Sequence, residues 1–360
     1  MPALETVTRS IDEEKHQSFT DAALSDVKGT LVLMMANLGD RLGLFRALAA
    51  KGGTSAEIAE RTGLRERYVR EWLAGMACAG YLDFDPATRA FALPPEAAPA
   101  LADESSPFFL GGLYQEMPAL WMILGKLESR FAEGGGLSIS DYGRDWWEGM
   151  GRFTASWFDN FLLQKWIPRA GDLRERLEGG VHVADVGCGR GRALARLAKA
   201  FPRMTGVGFD LSEGNLERAR RLAEDEGVSD RVRFEKRDVH AGLTGTFGLV
   251  TCFDALHDLA DPAGALRAIH DALEEGGSCL LLEFKVSERL EENIGPLGAM
   301  LYGWSLTYCL TTALAAGGEG VGTCGMPEER VRDLALGAGF SSVEVVPFDN
   351  PFNAVYLLRR

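Results

Sequence analysis

Positively charged residues are in short supply in this chain of 360 residues. It has 38 Lys and Arg against 52 Asp and Glu, which gives a formal net charge of −14 at pH 7. Binding to nucleic acid or to an anionic membrane needs basic surface, so this balance argues against a general role of either kind. The 46% of apolar residues is typical of a globular protein, and the length allows two domains.

Cysteine and histidine are also few and scattered. None of the six cysteines belongs to a Cys-x-x-Cys pair, and the five histidines are dispersed along the chain. This usage excludes a disulfide framework and a zinc cluster. It predicts a protein of the reducing cytoplasm that uses no catalytic metal.

Signals for membrane targeting are missing as well. The N-terminus lacks the charged and then apolar pattern of a signal peptide. Residues 294–318 carry no charge and are long enough to cross a bilayer. They contain several Gly, Ser and Thr, however, and they interrupt an α/β pattern between two strands. We therefore predict a helical insertion over the active site, residues 290–325, and no contact with a membrane.

The chain is organised around residues 181–202, where an apolar strand is followed by closely spaced glycines and a helical pattern. Glycines suit a turn that needs positive φ or a close approach of ligand to backbone. A dinucleotide fingerprint would need a small residue where Arg192 stands, which disfavours a nicotinamide oxidoreductase. The pattern Asp-x-Gly-x-Gly-x-Gly is met in full by Asp185, Gly187, Gly189 and Gly191, and its acid suits a ligand with a cationic end.

Further strands are predicted after this turn, and three of them run into acidic residues. Asp210, Asp238 and Asp254 stand at or just beyond those strand ends. Alternation of the strands with helices predicts a parallel sheet, and the last two strands form a hairpin around an Asp-Asn-Pro turn. The predicted strands lie near 181–186, 205–209, 231–235, 247–252, 278–284, 342–347 and 353–358.

These segments together resemble the class I S-adenosylmethionine-dependent methyltransferases, with motif I at residues 185–191. The resemblance covers nearly the whole chain and is nearest to a bacterial winged-helix group whose substrates are mostly unassigned. It implies an α/β fold with a Rossmann-like sheet of seven strands, mostly parallel with the last strand antiparallel. The cofactor implied is S-adenosyl-L-methionine, which leaves as S-adenosyl-L-homocysteine.

The resemblance also assigns the cofactor residues. Asp185 and the motif I backbone would face the methionine end, Asp210 the ribose hydroxyls and Asp238 the adenine amino group. Two apolar side chains would enclose the ring, and the end of the fourth strand would close over the methionine. The full set is Asp185, Gly187, Gly189, Gly191, Asp210, Leu211, Asp238, Val239, Phe253 and Asp254.

The N-terminal region, residues 1–105, is predicted to be a winged-helix domain. Two helical segments, 54–61 and 64–80, are followed by an alternating hairpin pattern at 81–93. Residues 1–110 have 11 Lys and Arg against 16 Asp and Glu, a net charge of −5, whereas a DNA-reading module is usually basic. Many small-molecule O-methyltransferases share this layout, so we expect a homodimer that binds no nucleic acid. The rival interpretation is a transcription regulator that senses the cofactor.

An aromatic helical segment, residues 106–178, separates this domain from the catalytic domain at 179–360. Aromatic clusters are more often core than pocket, but this one directly precedes the cofactor domain. We predict that part of it covers the acceptor, a small molecule. The predicted acceptor contacts are Tyr114, Tyr142, Trp146 and, within the insertion, Trp304 and Tyr308.

The predicted catalytic residue is His257, just beyond the fourth strand. Leu256-His257-Asp258 resembles the segment with the catalytic histidine in plant and polyketide-type O-methyltransferases, where a nearby acid fixes the imidazole. Glu283 fits that role, and Asp258 is the alternative. A histidine accepts a hydroxyl proton near neutral pH. Leu259 replaces the tryptophan-like position of those families, so the acceptor atom stays open: oxygen first, and sulfur second, in which case His257 only positions the acceptor.

Overall fold

The structure, a computed structural model, describes residues 11–360 and consists of two compact units that divide between Tyr114 and Gln115. The first unit is a helical domain with one small β-hairpin, as the winged-helix prediction requires. The domain boundaries predicted at residues 105 and 178 stay predictions. The helices of the first unit are Glu13–Arg41, Leu44–Ala50, Ser55–Thr62, Glu66–Cys78 and Ala98–Leu101, the hairpin strands are Asp83–Asp85 and Ala90–Ala92, and helix Gly111–Met122 spans the division.

Local sequence signals set the helix–turn–helix of this unit. The Thr54 hydroxyl accepts a hydrogen bond from the Glu57 backbone N–H, and the Glu57 carboxylate accepts one from the Thr54 N–H at 2.7 Å. This reciprocal pair satisfies N–H groups that a helix start leaves unpaired. Gly63 ends the helix with φ of +70°, where a residue with a side chain would be strained.

The second unit is built on one sheet of seven strands. The strand order is β3-β2-β1-β4-β5-β7-β6, and only β7 runs antiparallel to its neighbours, as predicted for the last strand. The strands are β1 His182–Val186, β2 Thr205–Asp210, β3 Val232–Lys236, β4 Phe247–Phe253, β5 Leu273–Phe284, β6 Ser342–Val346 and β7 Asn353–Arg359.

Helices cover both faces of this sheet and form the region before it. Among residues 11–360, none of the helices combines the length and apolarity needed to cross a bilayer. The helical segments of the second unit, including 3₁₀ and π turns, are Leu124–Glu133, Ile139–Asp141, Arg144–Trp157, Phe158–Trp166, Ile167–Arg169, Leu173–Gly179, Arg192–Ala200, Glu213–Asp225, Val239–Ala241, Leu256–Asp258, Pro262–Ala272, Leu290–Asn293, Pro296–Trp304, Ser305–Cys309, Leu310–Ala315, Thr323–Gly325 and Glu328–Gly337.

The strand order reverses between β1 and β4, and this reversal fixes where a ligand can bind. The chain moves outward from β1 to β2 and β3, and then returns to the other side of β1 with β4. In open parallel sheets, loops part at such a point and leave a crevice at the carboxyl ends of the strands. Motif I follows β1, and the segment with His257 follows β4, so both predicted halves of the site lie at this crevice.

The turn after β1 depends on its glycines. Gly187, Gly189 and Gly191 have φ of +66°, +51° and +74°, which favour glycine over other residues. Gly191 begins helix Arg192–Ala200, and a Cβ placed on it would lie 2.7 Å from the Phe234 ring and 2.8 Å from Ala219. The third glycine is therefore required by both backbone conformation and packing.

We predict that Gly191→Ala destabilises the protein by about 2–5 kcal/mol, because a positive φ costs a residue with a side chain about 1–2 kcal/mol and overpacking costs about 1–3 kcal/mol. The measurement is urea unfolding followed by circular dichroism. Gly125→Ala is the matched control, since this helical glycine has no neighbour within 4 Å of an added Cβ. Equal unfolding midpoints for the two variants would contradict the prediction.

Candidate active site

A cavity of about 380 Å³ lies at the carboxyl ends of β1, β2 and β4. Its volume is in the range of small-molecule sites. Most of the residues selected from the sequence line it, and they come from six separate segments of the second unit. The selected residues in the wall are Trp146, Asp185, Gly187, Gly189, Asp210, Leu211, Asp238, Val239, Phe253, Asp254, His257, Asp258, Trp304 and Tyr308.

Asp210 joins the second strand to motif I. One carboxylate oxygen accepts the Gly189 N–H at 2.9 Å, and the other accepts the Ser212 N–H at 2.7 Å. Burial raises the pKa of Asp210, and the backbone N–H groups oppose that shift. Each carboxylate oxygen has more than one acceptor position, so Asp210 can hold the motif I turn and still accept from ligand hydroxyls.

Asp185, the acid of motif I, is 2% exposed at the end of β1. Its carboxylate accepts a hydrogen bond of 2.6 Å from the Thr251 hydroxyl on the neighbouring β4. Burial raises the pKa of Asp185 to about 7, although this hydrogen bond acts in the opposite direction. A cation in the cavity would favour the ionised carboxylate.

Asp254, the residue after β4, has a strained backbone. Its φ is +54°, and Arg89 is the other non-glycine residue among residues 11–360 with positive φ. Its N–H donates to the Leu282 carbonyl of β5 at 2.9 Å, and its Oδ1 is buried without a hydrogen-bond partner in the structure. Burial raises the pKa of Asp254 to about 7. Strain and an unpaired polar atom at one position are typical of ligand-binding sites.

His257 and Glu283 form a buried pair. The exposed fractions are 2% for His257 and 0% for Glu283. His257 Nδ1 lies 2.6 Å from one carboxylate oxygen, and the His257 backbone N–H donates to the other at 3.3 Å. Burial alone would lower the pKa of His257, but the carboxylates of Glu283 and Asp258 raise it well above the usual value for histidine.

The other imidazole nitrogen faces a second group of polar side chains. His257 Nε2 lies 3.3 Å from Asp258 Oδ1, and Cys309 Sγ completes a group whose atoms lie within 4.8 Å of one another. The Thr323 hydroxyl donates to Cys309 Sγ at 2.9 Å, and burial raises the pKa of that thiol to about 12. Such a trio has the donor types of a metal site. The expectation of a metal-free site stays a prediction.

Aromatic side chains form the wall opposite the sheet. The Trp146 and Tyr308 rings lie 4.4 Å apart, and the Phe153 and Trp304 rings lie 6.3 Å apart. These residues come from helix Arg144–Trp157 and from the insertion, as the sequence predicted. Each of the two regions continues into a π-helical segment, Phe158–Trp166 or Ser305–Cys309. Such wide turns often occur at functional sites.

Four selected residues are not in the cavity wall. Gly191 begins the helix behind the motif I turn, and Glu283 lies behind His257. Tyr142 corrects our placement: it is 3% exposed, and its hydroxyl donates to the Thr307 carbonyl at 2.5 Å, so it packs beneath the aromatic wall. Tyr114, which we placed near the acceptor, belongs instead to the core of the first unit.

Four charged residues in the wall were not selected by the sequence analysis: Glu116, Arg190, Arg192 and Arg237. Glu116 could have been selected from the sequence, because it is the one charged residue between positions 105 and 125. A single charge within an apolar helix is expensive to bury and often functional. Arg190 lies within motif I, but the sequence analysis selected only the glycines and the acid of that motif.

Comparisons with known proteins agree with this architecture. Residues 177–317 match the family described as methyltransferase domain, and residues 29–103 match the Rv2258c-like winged HTH domain. A ubiquinone biosynthesis O-methyltransferase of Psychrobacter cryohalolentis is 31% identical over an alignment of 150 residues, and the match covers 38% of this chain and 58% of that protein. The chain thus spans somewhat more than half of the curated relatives that it matches.

Solved structures resemble the chain over almost its full length. The mitomycin 7-O-methyltransferase MmcR has a TM-score of 0.69 at 20% identity and covers 96% of this chain and 100% of its own. Human N-acetylserotonin methyltransferase in complex with SAM has a TM-score of 0.66 at 17% identity, with 98% and 99% covered. At these identities the likeness establishes the fold. The two matched domains add that the chain has an Rv2258c-like winged HTH domain followed by a methyltransferase domain.

Proposed function

We propose that this protein methylates a hydroxyl group of a small molecule. The observation that supports this best is the His257–Glu283 pair at a cavity that also contains motif I. The pair can remove a proton from an acceptor, and motif I can hold the methyl donor beside it. The relatives named above, two of which are called O-methyltransferases, favour oxygen as the acceptor atom.

The residues at the motif I end of the cavity fit S-adenosylmethionine, which supplies an electrophilic methyl group when bound. The glycine turn brings bare backbone to the wall, and an acidic residue stands at or just beyond the end of each of four strands. Asp185 and Asp254 would hold the cationic methionine end, Asp210 the ribose hydroxyls and Asp238 the adenine amino group. The ring would lie between Leu211, which is half exposed, and the buried Val239.

We predict that Asp210→Ala weakens binding of S-adenosylhomocysteine about 10–100-fold, because hydrogen bonds to a charged group contribute about 1.5–3 kcal/mol. Titration calorimetry with the purified full chain measures this affinity. Asp225→Ala is the control for loss of one carboxylate, since Asp225 is exposed at the end of helix Glu213–Asp225. Unchanged affinity in Asp210→Ala would remove Asp210 from the cofactor site.

His257 has the surroundings of a general base. The carboxylate of Glu283 holds a proton on Nδ1, which leaves Nε2 as the acceptor nitrogen on the cavity side. In the proposed step, an acceptor hydroxyl gives its proton to Nε2, and its oxygen becomes the nucleophile. The nearby carboxylates then stabilise the imidazolium that forms. Trp146, Trp304 and Tyr308 would enclose the acceptor and exclude water.

The pH dependence of turnover should show the raised pKa of His257. The base must be neutral to accept a proton, so turnover should rise with pH through a value above the usual histidine pKa of about 6.5. Glu283→Gln removes a carboxylate that raises this pKa, so the rising limb of the variant's pH profile should shift to lower pH.

His257→Ala should lower turnover about 10²–10⁴-fold while affinity for S-adenosylhomocysteine stays nearly intact.

These rates are measured once a panel of phenols, hydroxy acids and thioether acids has identified an acceptor. A small loss in His257→Ala, with a pH profile that Glu283→Gln does not move, would show that His257 is not the base. Turnover of a thioether or thiol in that case would support sulfur as the acceptor atom, with His257 as a positioning residue.

We also propose that the protein is a homodimer and that its longest helix, Glu13–Arg41, supplies the interface. Large apolar side chains recur along this helix at intervals of three and four residues, and about half or more of each is exposed. Such a stripe in a helix is typical of helix–helix association. Its members are Leu24 (61% exposed), Val27 (58%), Leu31 (57%), Met34 (46%) and Leu38 (52%).

We predict that Leu31→Glu yields a monomer, because it places a charge in the middle of this stripe. Ser25→Glu adds the same charge to a different face of the helix and should leave the dimer intact. Light scattering after size-exclusion chromatography reports the mass of each variant. Two outcomes would contradict the proposed interface: a monomeric wild type, or a Leu31→Glu variant that remains a dimer.

The alternative of a cofactor-sensing transcription regulator is not favoured. On helix Glu66–Cys78, Arg67 pairs with Glu71 and Arg70 pairs with Glu66. These arginines are partly neutralised by acids of their own helix, whereas duplex binding needs cations that face phosphate. Salt-sensitive binding of the purified protein to duplex DNA would revive this alternative.

A further inference from the structure

Glu116 is a buried carboxyl group without a visible function. It is 0% exposed, it lines the cavity, and neither of its oxygens has a hydrogen-bond partner within residues 11–360. The pKa of Glu116 is raised well above its usual value, first by burial and then by the negative charge of Asp254. A buried carboxylate without a partner is costly, so this arrangement is stable only if the group is protonated or meets a ligand.

Asp254, which lines the same cavity, also has a buried carboxyl oxygen without a partner among the described residues. Its Oδ1 is buried without a partner, and the strained backbone at φ of +54° holds the residue at the end of β4. Two neighbouring carboxyls repel each other when both are ionised, and a cation between them removes that repulsion. A positively charged group that can donate hydrogen bonds is therefore the ligand that satisfies both side chains.

Arg190, in the wall of the same cavity, needs a negatively charged partner. Its Nε and Nη2 atoms are buried and have no hydrogen-bond partner in the described part of the chain. Burial, with help from Arg218, lowers the pKa of Arg190 to about 10. A guanidinium group in this condition suits a carboxylate, which it can hold through two parallel hydrogen bonds. The cavity wall thus has unsatisfied hydrogen-bond acceptors at Glu116 and Asp254, and unsatisfied hydrogen-bond donors at Arg190.

A free α-amino acid group has both matching charges. Building on the proposed function, we propose that Glu116, together with Asp254, receives the α-ammonium of the methionine part of the cofactor, and that Arg190 receives its α-carboxylate. The location favours the cofactor over the acceptor, because Arg190 belongs to motif I and Asp254 lies near it. Arg190 is within the motif itself, and Ala255, next to Asp254, would lie 2.7 Å from a Cβ on Gly187.

The test compares two ligands that differ in the amino acid part. S-adenosylhomocysteine contains it, and 5′-methylthioadenosine keeps the nucleoside and the sulfur but lacks it. We expect Glu116→Gln to weaken S-adenosylhomocysteine about 10–100-fold in calorimetry, because an ionised partner is replaced by a neutral one. Affinity for 5′-methylthioadenosine should stay within about twofold. Arg190→Gln should show the same selective loss.

Two controls separate recognition from folding. Glu128→Gln removes a carboxylate from an exposed helical position and should affect neither ligand. Thermal unfolding of Glu116→Gln should be unchanged or shifted upward, since the variant removes an unpaired buried acid. If Glu116→Gln does not fold, Asp254→Asn gives the same test, because asparagine also tolerates a left-handed backbone.

The outcomes are distinct. Selective loss of S-adenosylhomocysteine supports the assignment. Equal losses for the two ligands, or no loss for either, would overturn it, and a higher KM for the acceptor alone would show that the carboxyls recognise a cationic acceptor instead. A wild-type protein that binds neither ligand would refute the proposed cofactor class rather than the role of Glu116.

Discussion

The need to bury carboxyl groups without a basic partner governs this molecule's second unit. Asp185, Asp254 and Glu116 all lie in or against one cavity wall, where burial raises each pKa. Such groups oppose folding unless they are protonated, hydrogen-bonded or matched by a ligand. The parallel sheet can tolerate them because its strand ends meet at one crevice. The free-energy cost of burying these carboxyls is therefore concentrated where a cation is expected to bind.

The same constraint explains why the two halves of the cavity differ. At the motif I half, the carboxyls have few protein partners and depend on a ligand. At the His257 half, the charges are matched within the protein, since the imidazole has Glu283 on one nitrogen and Asp258 near the other. An internally balanced pair keeps its geometry with or without a bound molecule, which suits the role of proton acceptor proposed for His257.

The sheet and the residues at its strand ends were predictable from sequence because local rules set them. Six of the seven strands begin and end within one residue of the prediction, whereas β5 begins five residues earlier than predicted. The spacing of the motifs correctly indicated that Asp185, Asp210 and His257 share one wall. Long-range packing decided the rest. Tyr142 and Trp146 belong to the same aromatic segment, but only the latter faces the cavity, and no local pattern separates them. Glu116 and Asp254 are 138 positions apart in the sequence and yet line the same cavity, which no local pattern could indicate.

The two π-helical segments have a consequence for how such enzymes diverge. Phe158–Trp166 lies in the region that precedes the sheet, and Ser305–Cys309 lies in the insertion. A π turn takes up an extra residue within about one turn, so the residues before and after it keep the faces that they would have in an ordinary α-helix. Gain or loss of one residue within such a segment would therefore change which side chains of that turn face the cavity, while the sheet and motif I stayed unchanged. Short insertions and deletions at these two places are thus an evolutionary route to new acceptors on an unaltered cofactor site.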